Sequence, residues 1–171
     1  MFFAAKNIFS SNRDYETYAL LMNFMRLMDL AIREYENGRR LLDEFKAPSS
    51  SFRLSPIFLA SGHFEGCVST LKRVINYVKV IRSHPKVPQD LKVLLPGRLT
   101  VLRGHVEKQI TDLRDAIQHL ENQIQKGEIA PGDAICLEPS QHGLNLGKHK
   151  VLYSDLAGWL QELHCHGEKL L

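Results

Sequence analysis

Residues 99–124 read LTVLRGHVEKQITDLRDAIQHLENQI. Leu99, Leu102, Val106, Ile110, Leu113, Ile117, Leu120 and Ile124 follow one another at steps of three and four. Steps of that size put all these side chains on one stripe of an α-helix, whereas the two-residue period of a strand would scatter them over both faces. Sustained over more than three heptads, the stripe is an a/d seam, so the helix lies at the centre of a bundle or against a partner. Pro96-Gly97 opens the segment, and Lys126-Gly127 supplies a cationic last turn and a glycine stop.

The flanking sequence repeats the helical theme. Ser11-Asn-Arg-Asp14 has the form of a capping box, and Tyr15, Tyr18, Met22, Met25, Met28, Ile32 and Tyr35 follow it at helical spacing. That pattern continues through Leu42 and Phe45 until Ala47-Pro-Ser-Ser-Ser51 breaks it, which predicts a first helix of about nine turns. A second helix begins near Ser55-Pro56, presents Cys67, Leu71, Val74, Ile75, Val78 and Ile81 on one side, and ends at Ser83-His-Pro85. Ser61-Gly62 inside it is expected to loosen or kink the chain. A short helix at 88–94 fills the connection to the third long one.

Beyond Gly127 the character changes. Ala134–Glu138 and Val151–Tyr153 are β-prone runs around the turn-rich Pro139-Ser-Gln-His-Gly143, and Gly143, Asn145 and Gly147 favour tight turns. A small β-hairpin follows from this. Ser154 then caps a final helix with Leu156, Trp159, Leu160 and Leu163 on one side. The expected fold is all-α: an up-and-down bundle of long helices over about 12–126, then a small C-terminal β-hairpin and a final helix at about 133–168. With no internal repeat and no low-complexity linker, residues 1–171 read as a single domain.

Composition narrows the function classes. The chain has 171 residues, 44% hydrophobic and 24% charged, the profile of a soluble globular protein. A net charge of +3 permits contact with RNA without demanding it. Cys67, Cys136 and Cys165 are odd in number and far apart, which reads as reduced thiols. The start lacks the basic and long apolar regions of a secretory signal, and no run approaches the roughly 20 apolar residues of a membrane span. A cytoplasmic protein without a membrane partner is expected.

Arg114, Asp115 and His119 stand out within the third long helix. Chance alone gives roughly one or two Arg–His pairs at spacings of this kind, since the chain holds eleven Arg and eight His. Arg98 and His105 form the other such pair. Context separates the two, because Arg114 precedes a short polar residue and Arg98 precedes Leu99. Arg114 borders the apolar seam, and His119 sits about 140° further round, so the two converge only at a bend or across a symmetric interface. Their chemistry is specific. RNA carries its own nucleophile in the 2′-hydroxyl; His takes or gives the proton, and Arg offers a planar fork of donors to the phosphate. Such a set cleaves phosphodiesters without a metal or other cofactor.

LRDAIQHLENQI, residues 113–124, resembles the Arg-x4–6-His signature of the HEPN superfamily (higher eukaryotes and prokaryotes nucleotide-binding), in which a polar residue commonly follows the Arg as Asp115 does here. The resemblance implies a helical bundle with the signature on a late long helix. It also implies a metal-independent endoribonuclease that works as a homodimer in toxin–antitoxin or phage-defence systems, with RNA as substrate and an antitoxin protein as partner. By the same resemblance Arg114 and His119 form the catalytic pair and Asp115 supports them. Some relatives continue the signature as His-x-Tyr, the Tyr being modified by a partner enzyme; Glu121 stands at that position here.

Other residues were weighed against this set. His164 and His166 flank Cys165, but on a helix they point about 200° apart and cannot share one metal ion. His63 and Glu65 lie in a glycine-flanked stretch that could approach another chain. Arg39-Arg40, Lys72-Arg73 and Lys148-His149-Lys150 read as solvated faces that could border an RNA path. The runner-up function is a non-catalytic HEPN-like module that binds a protein partner or nucleotide, and a third is a plain dimeric scaffold.

Overall fold

The computed structural model describes residues 14–47, 54–130, 132 and 134–170. Helix α1 spans Tyr15–Lys46, and its N-cap is Asp14, whose carboxylate accepts from the Glu16 amide at 3.2 Å. Ser11, the expected cap, lies outside the described residues. Helix α2 spans Ser55–Ser83 and runs antiparallel to α1, with Gly38 against Phe64 at one end and the Thr17 hydroxyl on the Lys86 carbonyl at the other. Leu21, Phe24, Leu27, Met28 and Ala31 of α1 meet Phe64, Cys67, Leu71, Val74, Ile75 and Val78 of α2, all at most 2% exposed. This pair of helices is the centre of the core.

The buried stripe of α1 shares only Met28 and, further on, Leu42 with the stripe read from spacing. Tyr15 is 79% exposed, and Met22, Met25, Ile32 and Tyr35 line a groove of about 880 Å³ beside the last helix. The helix carries apolar residues on two adjacent faces, and packing against α2 selects the one with Leu21 and Phe24. Helix α2 runs through Ser61-Gly62 without interruption.

Helix α3 spans Gln89–Leu94, as spacing predicts. The third long helix starts later than Pro96-Gly97 predicts. A 3-10 turn at Thr100–Leu102 comes first, and α4 spans Gly104–Lys126 after an extended Arg103. Leu99 and Val101 are both buried on either side of the start of that turn. Glu162 fixes the break by accepting from the Thr100 amide at 2.8 Å and the Thr100 hydroxyl at 3.3 Å. At the far end Gly127 adopts φ 67°, and the Glu128 amide reaches back to the Gln123 carbonyl at 2.9 Å.

The C-terminal β region is a three-stranded antiparallel sheet, one strand more than a hairpin. Strands β1 (Glu138–Pro139), β2 (Gly143–Leu146) and β3 (His149–Leu152) pair in that order. The middle strand falls where glycines predict turns. Leu144 and Leu146 alternate onto the buried face, opposite Val151, and that burial outweighs the local turn preference. Gly143 is required there because the Val151 carbonyl occupies the space a Cβ would need. Gly147, at φ 54°, closes the two-residue turn into β3. Helix α5 spans Tyr153–Glu168 with Leu152 as N-cap, two residues ahead of the expected cap Ser154. No helix among the described residues is long and apolar enough to cross a membrane.

Candidate functional site

Helix α4 changes character along its length, and that change frames the site. Val106, Ile110 and Leu113 are at most 4% exposed, Ile117 and Leu120 are half-buried, and Ile124 is 50% exposed. Its first half closes the bundle; its second half carries the same seam out beyond it. Arg114, Asp115 and His119 sit at the junction.

The structure brings Arg114 and Asp115 together. Arg114 Nη1 donates to Asp115 Oδ1 at 2.8 Å, with the two side chains 37% and 44% exposed. His119 stands apart. It is exposed, and no hydrogen bond joins it to either residue among the described ones. Five residues of straight helix separate its Cα from that of Arg114 by about 7.5 Å of rise. One chain thus presents the guanidinium and the imidazole on different faces of one rod.

His119 follows Lys108, Asp112 and Asp115 on the outer face of α4. Lys108 Nζ binds Asp112 Oδ2 at 2.9 Å, and its charge holds the Asp112 carboxyl below the usual carboxylate range. Lys148 and His149, at the β2–β3 turn, lower it further, which puts this basic turn beside the same face. Gln109 Nε2 ties the sheet down by donating to the Lys150 carbonyl at 2.7 Å. On the inner side, Glu107 accepts from Lys79 and Lys72 of α2 at 2.5 and 2.9 Å, and these contacts hold its carboxyl low.

The other sequence candidates are separated or engaged elsewhere. Arg98 precedes the 3-10 turn and His105 follows it, so they share no helix. His63 pairs with Glu34 of α1, Nδ1 to Oε2 at 2.7 Å, rather than with Glu65. Spacing could not find Glu34, which lies 29 positions away on another helix. Glu65 turns toward the Leu137 amide; its burial pushes the carboxyl up and that hydrogen bond partly offsets the rise. His164 approaches Glu168 at 3.5 Å, and the His166 ring meets the Leu94 carbonyl at 2.8 Å. Among the described residues, no three His, Cys, Asp or Glu gather into a metal-ligand group. Arg39 lies 4.4 Å over the Tyr153 ring, a contact the sequence gives no sign of.

No family model matches the chain, and no curated protein or solved structure does so either.

Proposed function

We propose that the protein is a metal-independent endoribonuclease of the HEPN-like, toxin–antitoxin or phage-defence kind, acting in the cytoplasm as a homodimer built on α4. The observation that carries this reading is the seam that passes from half-buried Ile117 and Leu120 to exposed Ile124 beside Arg114 and His119. A helix of this length with an apolar stripe leaving its own core is suited to meet a copy of itself. Pairing two such helices brings an Arg114–Asp115 unit from one chain toward His119 of the other, which one straight helix cannot do.

In that cleft His119 is the general acid/base and Arg114 holds the scissile phosphate. The 2′-oxygen attacks phosphorus as its proton passes to a base, and the 5′-oxygen leaves with a proton from an acid. The products are a 2′,3′-cyclic phosphate and a 5′-hydroxyl. Asp115 keeps the guanidinium fork extended until the phosphate replaces it. The basic Lys148–His149 turn supports RNA passage along the outer face of α4. An antitoxin would be the natural restraint on such an activity.

The Arg114–Asp115 ion pair also favours a second reading, a non-catalytic helical module that binds a protein partner or nucleotide through α4. One experiment separates them. Wild type, Arg114→Ala and His119→Ala are incubated with RNA in a metal chelator, and product ends are identified. The ribonuclease reading expects wild-type cleavage with cyclic-phosphate ends and a loss of at least about a hundredfold in each variant. Equal survival of RNA with all three proteins overturns it.

A further inference from the structure

A second polar site lies away from Arg114 and His119, where α1, the sheet and the start of α5 meet. A cavity of about 530 Å³ opens there, lined by Arg39, Gln141, His142, Lys150, Tyr153 and Ser154 among others. No carboxylate lines it among the described residues. Arg39 and Lys150 form no ion pair among the described residues, so two positive charges face the opening uncompensated. The guanidinium of Arg39 is held in place by the Tyr153 ring beneath it.

Two further features point to a ligand. Tyr153 is 5% exposed and lines the cavity, yet its hydroxyl is buried with no hydrogen-bond partner among the described residues. A buried hydroxyl without a partner costs free energy, and a bound acceptor would repay it. Burial also pushes the Tyr153 phenol up to about 12, so it remains a neutral donor at any physiological pH. The second feature is the end of α5. Its N-cap Leu152 makes no side-chain capping bond, and the Tyr153 amide is already spent on the His142 carbonyl at 3.0 Å. The next amides and the Ser154 hydroxyl are thus uncapped by side chains at the positive end of a 16-residue helix.

We infer that this cavity is a binding site for a phosphate group, held by Arg39, Lys150, the Tyr153 and Ser154 hydroxyls and the first turn of α5. A planar guanidinium, a point cation, two hydroxyl donors and a helix N-terminus are complementary to the oxygens of a phosphate monoester. The cavity is also large enough to admit more than the phosphate. A nucleoside 5′-monophosphate and the 5′-phosphorylated end of an RNA share this chemistry. The inference is independent of catalysis at α4, because none of these residues belongs to the proposed cleavage set.

The test is thermal unfolding and calorimetric titration of the full chain with inorganic phosphate, a nucleoside 5′-monophosphate, and matched oligoribonucleotides bearing a 5′-phosphate or a 5′-hydroxyl. Phosphate-bearing ligands are expected to raise the melting temperature in proportion to log concentration. A mononucleotide tighter than phosphate identifies a nucleotide site; preference for the 5′-phosphorylated oligonucleotide identifies an RNA end. Lys150→Gln, an exposed position, is expected to weaken binding about tenfold, and Arg39→Gln at least as much. Tyr153→Phe removes only the hydroxyl, so it is expected to weaken binding without lowering the melting temperature of the free protein. The inference is overturned if no phosphate-bearing ligand binds, or if Lys150→Gln and Arg39→Gln bind as wild type does.

Discussion

At Gly38 a single missing atom sets how closely the two core helices approach. A Cβ there would stand 2.9 Å from two atoms of the Phe64 ring, which is fully buried and packs on both Tyr35 and Tyr153. Alanine is worth about 1 kcal/mol more than glycine inside a helix, but overpacking a rigid ring costs about 1–3 kcal/mol. Gly38→Ala is therefore expected to lower stability by up to roughly 2 kcal/mol, read as a drop in urea midpoint, against the sign that helix propensity alone would give. The thiols differ for a similar reason. Cys67 is buried, and desolvation followed by the Glu34 charge pushes it far above the ordinary thiol range, while Cys165 is exposed. A chromogenic disulfide reagent should modify Cys165 first and Cys67 only on unfolding; early loss of Cys67 would contradict its packing. Neither distinction is written in local spacing. Gly38 and Glu34 gain their meaning from Phe64 and His63, which arrive from another helix.

Helix α4 shows what periodicity can and cannot give. Its seam from Val106 to Leu113 is legible because burial demands the spacing, and the same spacing continues to Ile124, which the described residues leave 50% exposed. The pattern records a need for cover and is silent on which surface provides it. Leu99 and Leu102 extend the pattern by chance of register, and the Glu162 carboxylate that breaks the helix there comes from α5. Arg114 and Asp115 were legible as neighbours; the five-residue helical step from Arg114 sets His119 on a different face from the guanidinium. Under the dimer proposed on α4, Ile124→Glu is expected to leave the unfolding midpoint of the monomer unchanged and to abolish self-association in light scattering, since Ile124 adds little to its own core. A variant that unfolds instead would place Ile124 inside the monomer. The Glu107 bridge carries a pH signature as well. Its folded pKa is lowered by Lys79 and then Lys72, so the bridge stabilises above the ordinary glutamate value of about 4.3 and loses its contribution as pH falls through the lower folded value. Glu107→Gln is expected to be weaker than the parent by about 1 kcal/mol at neutral pH and to converge with it in acid.

For the molecule as a whole, two apolar helices supply the centre, and everything after Gly127 is fitted onto them. That order explains why the helical part was readable from sequence while the middle strand of the sheet was not, although a small hairpin was expected there. A helix declares itself over many turns, whereas β2 is four residues whose glycine and asparagine favour turns until Leu144 and Leu146 find a buried face. The fitting itself is done by very few groups. Ser61 donates to the Leu137 carbonyl at 2.6 Å, and Glu65, one turn on, accepts from the Leu137 amide. Leu137 belongs to no strand, yet both its backbone polar groups are held by side chains of α2. The helix thus serves that residue as a surrogate sheet edge. Amide hydrogen exchange at Leu137 should accordingly be slow, in step with the core of α2 and unlike that of its loop neighbours. Leu137 is then released only when the core of α2 opens, so this joint between the two parts of the molecule opens as a latch and does not fray.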